Sequence, residues 1–312
     1  MVAAHLSPAL QGPAPLWLRI FGSIAAPLFI LLSGMMVAFT TRCKGRDLRY
    51  FLRRGGFVLA VGILVDLFIW NIYPLLSFDV LYLIGFSLPL TFLALGFSDK
   101  KRYVLVLLIF LSPPLLQQHF GYTDYPTEIT LTGSRVVSPQ SPTGIINHWL
   151  VDGWFPIFPW LGFSLLGTIL ADLRWRTGRD GRFKAERFNS RRFLIVGFSL
   201  AVLGSMATAG SLDYLAVRGG YAELFYPPTP GYLAAATGVC LLLFFLVDLD
   251  PIRDALRPLE VLGKHSLFMY ALHLALIRYL VYFFWPEETL EAFLLVYLGL
   301  VALMMAVGER MR

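Results

Sequence analysis

Apolar runs of close to 20 residues recur along the whole chain, separated by polar connectors. At 1.5 Å per helical residue such a run crosses roughly 30 Å of hydrocarbon. The pattern predicts nine spanning helices, over residues 16–40, 55–75, 78–97, 103–117, 154–173, 193–210, 230–249, 265–285 and 290–308. Backbone polar groups in lipid must be paired within the protein, so helices are the natural spanning form. No ten-residue alternation marks a barrel. The expected fold class is an all-α, polytopic transmembrane helix bundle, one domain over 1–312. Residues 1–12, MVAAHLSPALQG, lack the basic start and long apolar core of a signal peptide. They read as the end of a further helix whose beginning is missing, which would bring the spans to ten; a short translocated tail is the alternative.

Composition agrees with this pattern. Of 312 residues, 57% are hydrophobic and 15% charged, against about 25% charged in a soluble domain. An isoelectric point near 9.4 would by itself suggest nucleic acid, but the basic residues follow the connectors. They fill 41–54, 98–102, 174–192, 250–264 and the tail. Only Arg19, Arg135, Arg218 and Arg278 of the 26 lie elsewhere. The positive-inside rule then puts these connectors and the C-terminus in the cytoplasm and the N-terminus outside. Membrane lipids, not nucleic acid, are the expected surroundings, in a bacterial cytoplasmic (inner) membrane. The outer face receives the long polar loop 118–153, with turn pairs at Tyr125-Pro126, Thr132-Gly133, Ser138-Pro139 and Ser141-Pro142. It also receives 211–229, whose Tyr214, Tyr221 and Tyr226 read as an interfacial belt or a sugar-stacking surface. The two cysteines, Cys43 in a basic connector and Cys240 in an apolar run, have neither disulfide nor metal-ligand spacing.

Titratable side chains inside apolar helices are expensive and usually functional. His273, in GKHSLFMYALHLALI, stands about 12 Å into its helix from the basic end. It reads as a site residue or as a neutral histidine bonded between helices. Asp66, in GFVLAVGILVDLFIWNIY, has to be protonated or paired. Arg278 and Arg19 are the helix-embedded cations that can meet it. His5, before a Pro-rich turn, has the ordinary pKa of a general base but equally reads as a solvated tail residue. His148 and Asp152 are four apart and share a face if that piece is helical. The basic stretch with Arg42, Lys44, Arg46, Arg53 and Arg54 suits the phosphates of a nucleotide-like cofactor; topology and anionic lipid explain it as well.

Several stretches together resemble one family. SIAAPLFILLSGMMVAF, FLRRGGFVLAVGILVDLFIW, FDVLYLIGFSL, WFPIFPWLGFSLLG and GKHSLFMYALH, in that order, are similar to the heparan-alpha-glucosaminide N-acetyltransferase catalytic domain. The wider acyltransferase-3-like membrane enzymes share the likeness. The resemblance implies an integral-membrane acyltransferase. It would move an acetyl or similar acyl group from cytoplasmic acetyl-CoA to an amine or hydroxyl of a sugar or glycan acceptor on the outer face, with no metal. It places His5 where the family has a histidine after its first helix, as base or transient acyl acceptor, and His273 where the late helix has one. Asp66 joins these as a catalytic candidate. Arg42, Lys44, Arg46, Arg53 and Arg54 would hold the phosphates of acyl-CoA, and His148, Asp152 and Arg278 the acceptor. The contrasting reading is a transporter or flippase using Asp66, His273 and Arg278 as a polar path. In a third, purely structural membrane subunit, the buried charges would only fix helix register.

Overall fold

The computed structural model describes residues 1–122, 128–132, 135–137, 144–177, 183–210, 223–285 and 287–311. Tyr125-Pro126, Gly133, Ser138-Pro139, Ser141-Pro142, Tyr214, Arg218 and Tyr221 lie outside them. A short helix α1 (Val2–Leu6) opens the chain and is followed by α2 (Leu16–Lys44), α3 (Leu48–Val65), α4 (Val80–Ala94), α5 (Asp99–Leu111) and α6 (Pro113–Phe120). The 118–153 loop holds a two-stranded pair, β1 (Glu128–Ile129) with β2 (Arg135–Val137), and α7 (Gly144–Asn147). Next come α8 (Ile157–Arg174), the hairpin β3 (Trp175–Thr177) and β4 (Phe183–Ala185), α9 (Arg191–Ala209) and α10 (Pro230–Val247). The chain ends in α11 (Asp250–Leu256), α12 (Glu260–Lys264), α13 (Ser266–Leu276), α14 (Tyr282–Phe284) and α15 (Leu290–Arg310). Three wide π-turns, Asp66–Trp70, His148–Asp152 and Ile277–Val281, interrupt this helical pattern.

The all-α membrane class holds, but nine spans are not confirmed. Among the described residues six helices are long and apolar enough to cross a membrane: α2, α8, α9, α10, Ser266–Phe284 and α15. There is a seventh if α5 and α6, bent by 46°, form one broken span. The break falls at Ser112, where Pro113 and Pro114 cannot donate backbone hydrogen bonds to the preceding turn. Two expected spans differ for separate reasons. α4 has only 15 residues, because the Asp79 carboxylate caps its first turn by accepting from Val80 N–H. α3 starts at Leu48 rather than at 55, behind an Asp47 cap, so Arg49, Arg53 and Arg54 occupy its first turns.

Glycines set how closely the helices approach. In a lipid setting small residues let backbones touch, which replaces the missing hydrophobic driving force with dispersion. α2 lies on α8 so closely that a Cβ on Gly34 would strike the Ser164 carbonyl, and one on Gly167 the Leu31 carbonyl. α9 and α10 meet in the same way, with Gly204 against Ala235 and Gly238 against Ala201. An aromatic group that includes Phe78, Tyr82, Trp160, Phe163 and Phe225, all buried, belongs to the main core shared by these helices and α4.

Ion pairs tie several helix ends together. Buried Arg102, at the start of α5, bonds Asp172 of α8 at 2.5 Å, Asp99 at 2.6 Å and Thr168 at 2.9 Å. Arg42, near the end of α2, pairs with the same Asp172. Arg174 holds Asp248 at the end of α10, and Asp248 also accepts from Phe188 N–H at 2.6 Å. The basic connectors of α2, α5, α8 and α10 therefore gather at one end of the bundle.

A Gly167→Val substitution is expected to overpack the α2–α8 contact and cost about 1–3 kcal/mol. Gly56→Ala, in the same kind of helix interior but on an exposed face with nothing within 4 Å, should not destabilise and should add up to about 1 kcal/mol from helix propensity. Unfolding of the detergent-purified variants reads both; an unshifted Gly167→Val would remove the close-approach account.

Candidate functional site

The two histidines singled out from opposite ends of the sequence meet. His5 Nδ1 lies 2.9 Å from His273 Nε2. α1 carries His5 against α2, α13 and α15. The strand-like pairing of Gln11 N–H with Glu288 O at 2.8 Å and Glu288 N–H with Ala9 O at 2.7 Å pins the segment after α1. Tyr282 donates to the His5 carbonyl at 3.2 Å. The Met269 carbonyl is 2.9 Å from His273 Nδ1. A carbonyl only accepts, so His273 Nδ1 carries the proton and its Nε2 the lone pair. His273 Nε2 then accepts from His5 Nδ1–H, which makes Nε2 the basic nitrogen of neutral His5. The buried ring of Tyr270 meets both imidazoles edge-on, at 5.8 Å and 5.3 Å between centroids.

Tyr270 leads to the carboxylates. Its hydroxyl approaches Asp79 Oδ2 to 3.5 Å. Asp66, 2% exposed, opens the first π-turn and accepts a short hydrogen bond from the Tyr82 hydroxyl of α4. This corrects the ion pair expected with Arg278 or Arg19: the Tyr82 phenol and the Leu75 backbone, not a cation, satisfy Asp66. Between Asp66 and Asp79 the chain takes left-handed backbone angles at three non-glycine residues, Asn71 (φ 57°), Leu75 (φ 67°) and Phe78 (φ 54°). Such conformations are disfavoured for L-residues and cluster at functional sites.

The loop over 71–79 also touches the third constellation. His148 Nδ1 lies 2.6 Å from Asp152 Oδ1, both fully buried in the second π-turn. The shared face expected from their spacing is formed. The intervening Trp149 donates to the Leu75 carbonyl at 2.8 Å, Trp154 N–H bonds Ser77 O and Phe155 N–H bonds Phe78 O, both at 3.0 Å. Tyr226 is neither belt nor open stacking surface: it is buried and packs edge-on against Trp154 at 5.6 Å.

Other expected residues are not brought together. Arg278 stands exposed on the third π-turn, outside the histidine and carboxylate cluster. Arg42 is engaged with Asp172, while Lys44, Arg46, Arg53 and Arg54 are exposed at the basic end, Arg46 over the Tyr50 ring at 5.1 Å. Arg54 and Asp66 are twelve residues apart, roughly 18 Å along the helix. Tyr82, Tyr270 and Asp79 were missed from sequence, being ordinary aromatic or capping residues with no spacing signal. Glu223 was missed too. It is buried between α1 and α2, beside Ala4, Arg19 and Gly22. Burial pushes its carboxyl up to about 7, with the Arg19 guanidinium pulling the other way.

Compared with known families, residues 7–207 match the one described as "Heparan-alpha-glucosaminide N-acetyltransferase, catalytic". The matched stretch contains Asp66, His148, Asp152 and the basic 41–54 segment; His5, His273 and Arg278 lie beyond its ends. No curated protein and no solved structure matches the chain.

Tyr82→Phe should remove one of the two donors to the buried Asp66 carboxyl, leaving the Leu75 backbone, and cost about 1–3 kcal/mol. An unchanged melting temperature would show that the Tyr82 bond does not stabilise the fold. Glu223 gives a pH test. A carboxyl raised in the folded state contributes stability that is complete below its ordinary range near 4.5. That contribution is lost as pH rises through about 7. Wild-type melting temperature should therefore fall more steeply between pH 5 and pH 8 than that of Glu223→Gln, and parallel slopes would refute the assignment.

Proposed function

Because the chain belongs to the heparan-alpha-glucosaminide N-acetyltransferase catalytic-domain family, we propose that it is an integral-membrane acetyltransferase. It takes the acetyl group of acetyl-CoA at the basic end and delivers it to an amine or hydroxyl of a sugar acceptor arriving from the opposite, outer end. The bundle sits in a bacterial cytoplasmic membrane with its C-terminus in the cytoplasm. The observation that carries the reading is the 2.9 Å contact between His5 and His273.

In the proposed step, His5 Nε2 takes the proton of the acceptor amine or hydroxyl as that atom attacks the thioester carbonyl. The new C–N or C–O bond forms, the C–S bond breaks, and the proton passes to the departing CoA sulfur. His273, fixed in its tautomer by the Met269 carbonyl, orients His5 and stabilises the imidazolium. Lys44, Arg46, Arg53 and Arg54 receive the CoA phosphates, for which guanidinium forks are suited. The His148–Asp152 pair, beside Trp154, is placed on the acceptor side. Asp66 holds α4 through Tyr82 and the 71–79 loop through the Leu75 backbone. Arg278 is assigned no part in this scheme. Its exposure also weighs against a transport path through Asp66, His273 and Arg278.

His5→Ala is expected to lower acetyl transfer to a hexosamine acceptor by roughly 10²–10⁴-fold, the usual contribution of a positioned base. It should leave intact the rise in melting temperature that acetyl-CoA gives wild type, about 2.7 kcal/mol at 100 times Kd. Dephospho-CoA should stabilise less. Undiminished transfer by His5→Ala would sink the assignment of the base. Absence of any response to acetyl-CoA would sink the donor.

A further inference from the structure

A cavity of about 580 Å³ lies at the basic end of the bundle, between α5, α8, α9 and α10. None of its lining residues belongs to the histidine, Asp66 or His148 constellations. Its size is within the roughly 300–1,000 Å³ typical of small-molecule sites. The shaft is aliphatic, with Leu166 and Leu170 from α8, Val196 and Leu200 from α9, and Leu241 from α10. From Arg192 at the rim to Leu200 is eight residues of α9, roughly 12 Å of depth.

The rim has the opposite character. Arg176 on β3, Arg187 and Arg192 stand around it. Arg187 is engaged with Asp250 at 2.9 Å, whereas Arg176 and Arg192 make no ion pair with a described residue. Glu186 shares the rim, 4.0 Å from Lys184, so the mouth remains net positive. The cavity also reaches the lipid-facing side of α9. Ile195, Phe198, Leu203 and Met206 are each more than half exposed there, and Val196, 50% exposed, belongs to both that face and the cavity wall.

We propose that this cavity is a binding site for a bilayer phospholipid with an anionic headgroup. One acyl chain enters the shaft between α8, α9 and α10, and the phosphate sits between Arg176 and Arg192. An aliphatic shaft reached from the lipid-facing side of a membrane helix is filled by the chains around it. Guanidinium groups at the helix end select phosphate and favour net negative headgroups over zwitterionic ones. The inference does not rest on the acetyl-transfer reading, since it uses neither the histidines nor the 41–54 arginines.

The test is native mass spectrometry of the full chain released from nanodiscs made of equal parts phosphatidylglycerol and phosphatidylcholine. Wild type should retain phosphatidylglycerol over phosphatidylcholine by roughly tenfold. The R176Q/R192Q double variant, altered only at surface positions, should bring that ratio close to one. Photoactivatable phosphatidylglycerol should crosslink wild type within α8 and α9. Equal retention of the two lipids by wild type, or an unchanged preference in R176Q/R192Q, would overturn the proposal. So would crosslinks that avoid α8 and α9. Displacement of the lipid by inorganic phosphate alone would reassign the rim to a soluble anion, and displacement by acetyl-CoA would reassign the cavity to the donor.

Discussion

A polar side chain carried into a bundle of apolar helices has to find its partner inside the protein, because the surrounding medium offers none. That constraint organises this molecule. Asp66 meets Tyr82, His5 meets His273, His148 meets Asp152, and Arg102 is surrounded by Asp99, Thr168 and Asp172. Most of these partners lie on different helices, so each contact also fixes how two elements sit against one another. The glycine-mediated approaches of α2 to α8 and α9 to α10 serve the same end. They bring backbones into direct contact, and across α2–α8 the Arg42–Asp172 pair forms at the end of that contact. Packing and polar satisfaction are here one requirement met twice.

The site lies where regular helix is given up. Asp66, His148 and Asp152 all belong to π-turns, and the His273 carbonyl accepts the N–H of Ile277, the first residue of the third. Single π-turns in helices are frequent at functional positions because they redirect a side chain without ending the helix. The left-handed residues at 75 and 78 cost about 1–3 kcal/mol each, and Asn71 less, since Asn adopts this conformation readily at a helix end. They persist because the loop is held from both sides: Tyr73 N–H bonds Ile129 O and Leu131 N–H bonds Asn71 O, while Trp149 in the π-turn after α7 holds Leu75, and Trp154 and Phe155 just beyond it hold Ser77 and Phe78. The strain is confined to a nine-residue segment that touches the Asp66, Asp79 and His148 groups. Its concentration there supports a role in positioning.

Much of this was legible in sequence, and the limits have physical causes. Apolar run length marks helices, and the rhythm of Lys and Arg marks the end at which connectors gather, since both are local properties. An isolated His or Asp in such a run stands out for the same reason. Its partner does not. Tyr82 satisfies Asp66 from the next helix, yet a tyrosine in VLYLIGF looks like any core aromatic. Arg278 failed as a partner for geometric reasons. Five residues beyond His273 at 100° per residue is already about 140° around the helix, and the π-turn changes the phase again. The span count suffered from fine boundary effects: Asp47 and Asp79 caps and the Pro113-Pro114 break set lengths that hydropathy alone blurs. Membership of the acetyltransferase family was legible because its motifs are strung along most of the matched 7–207 stretch.

Distance along the helices gives the acetyl-transfer reading its shape. Ser266, the first residue of α13, and His273 are seven residues apart, roughly 10 Å by helical rise. Arg54 and Asp66 are about 18 Å apart on α3 by the same measure. The histidine pair thus lies part-way through the bundle, not at either surface, and the strained 71–79 loop lies beyond the basic half. Reacting atoms have to come within about 3–3.5 Å for transfer. In the proposed scheme, a donor anchored by its phosphates among the basic connectors would extend an arm inward, and the acceptor would come from the side of Trp154 and the 71–79 loop. At that depth, under the proposed scheme, the histidine pair would let an acetyl group change sides while donor phosphates and acceptor sugar each stay on their own. On the same scheme, the short helix of His5, pinned by Glu288 and Tyr282, holds its ring against His273 where a positioned base is needed.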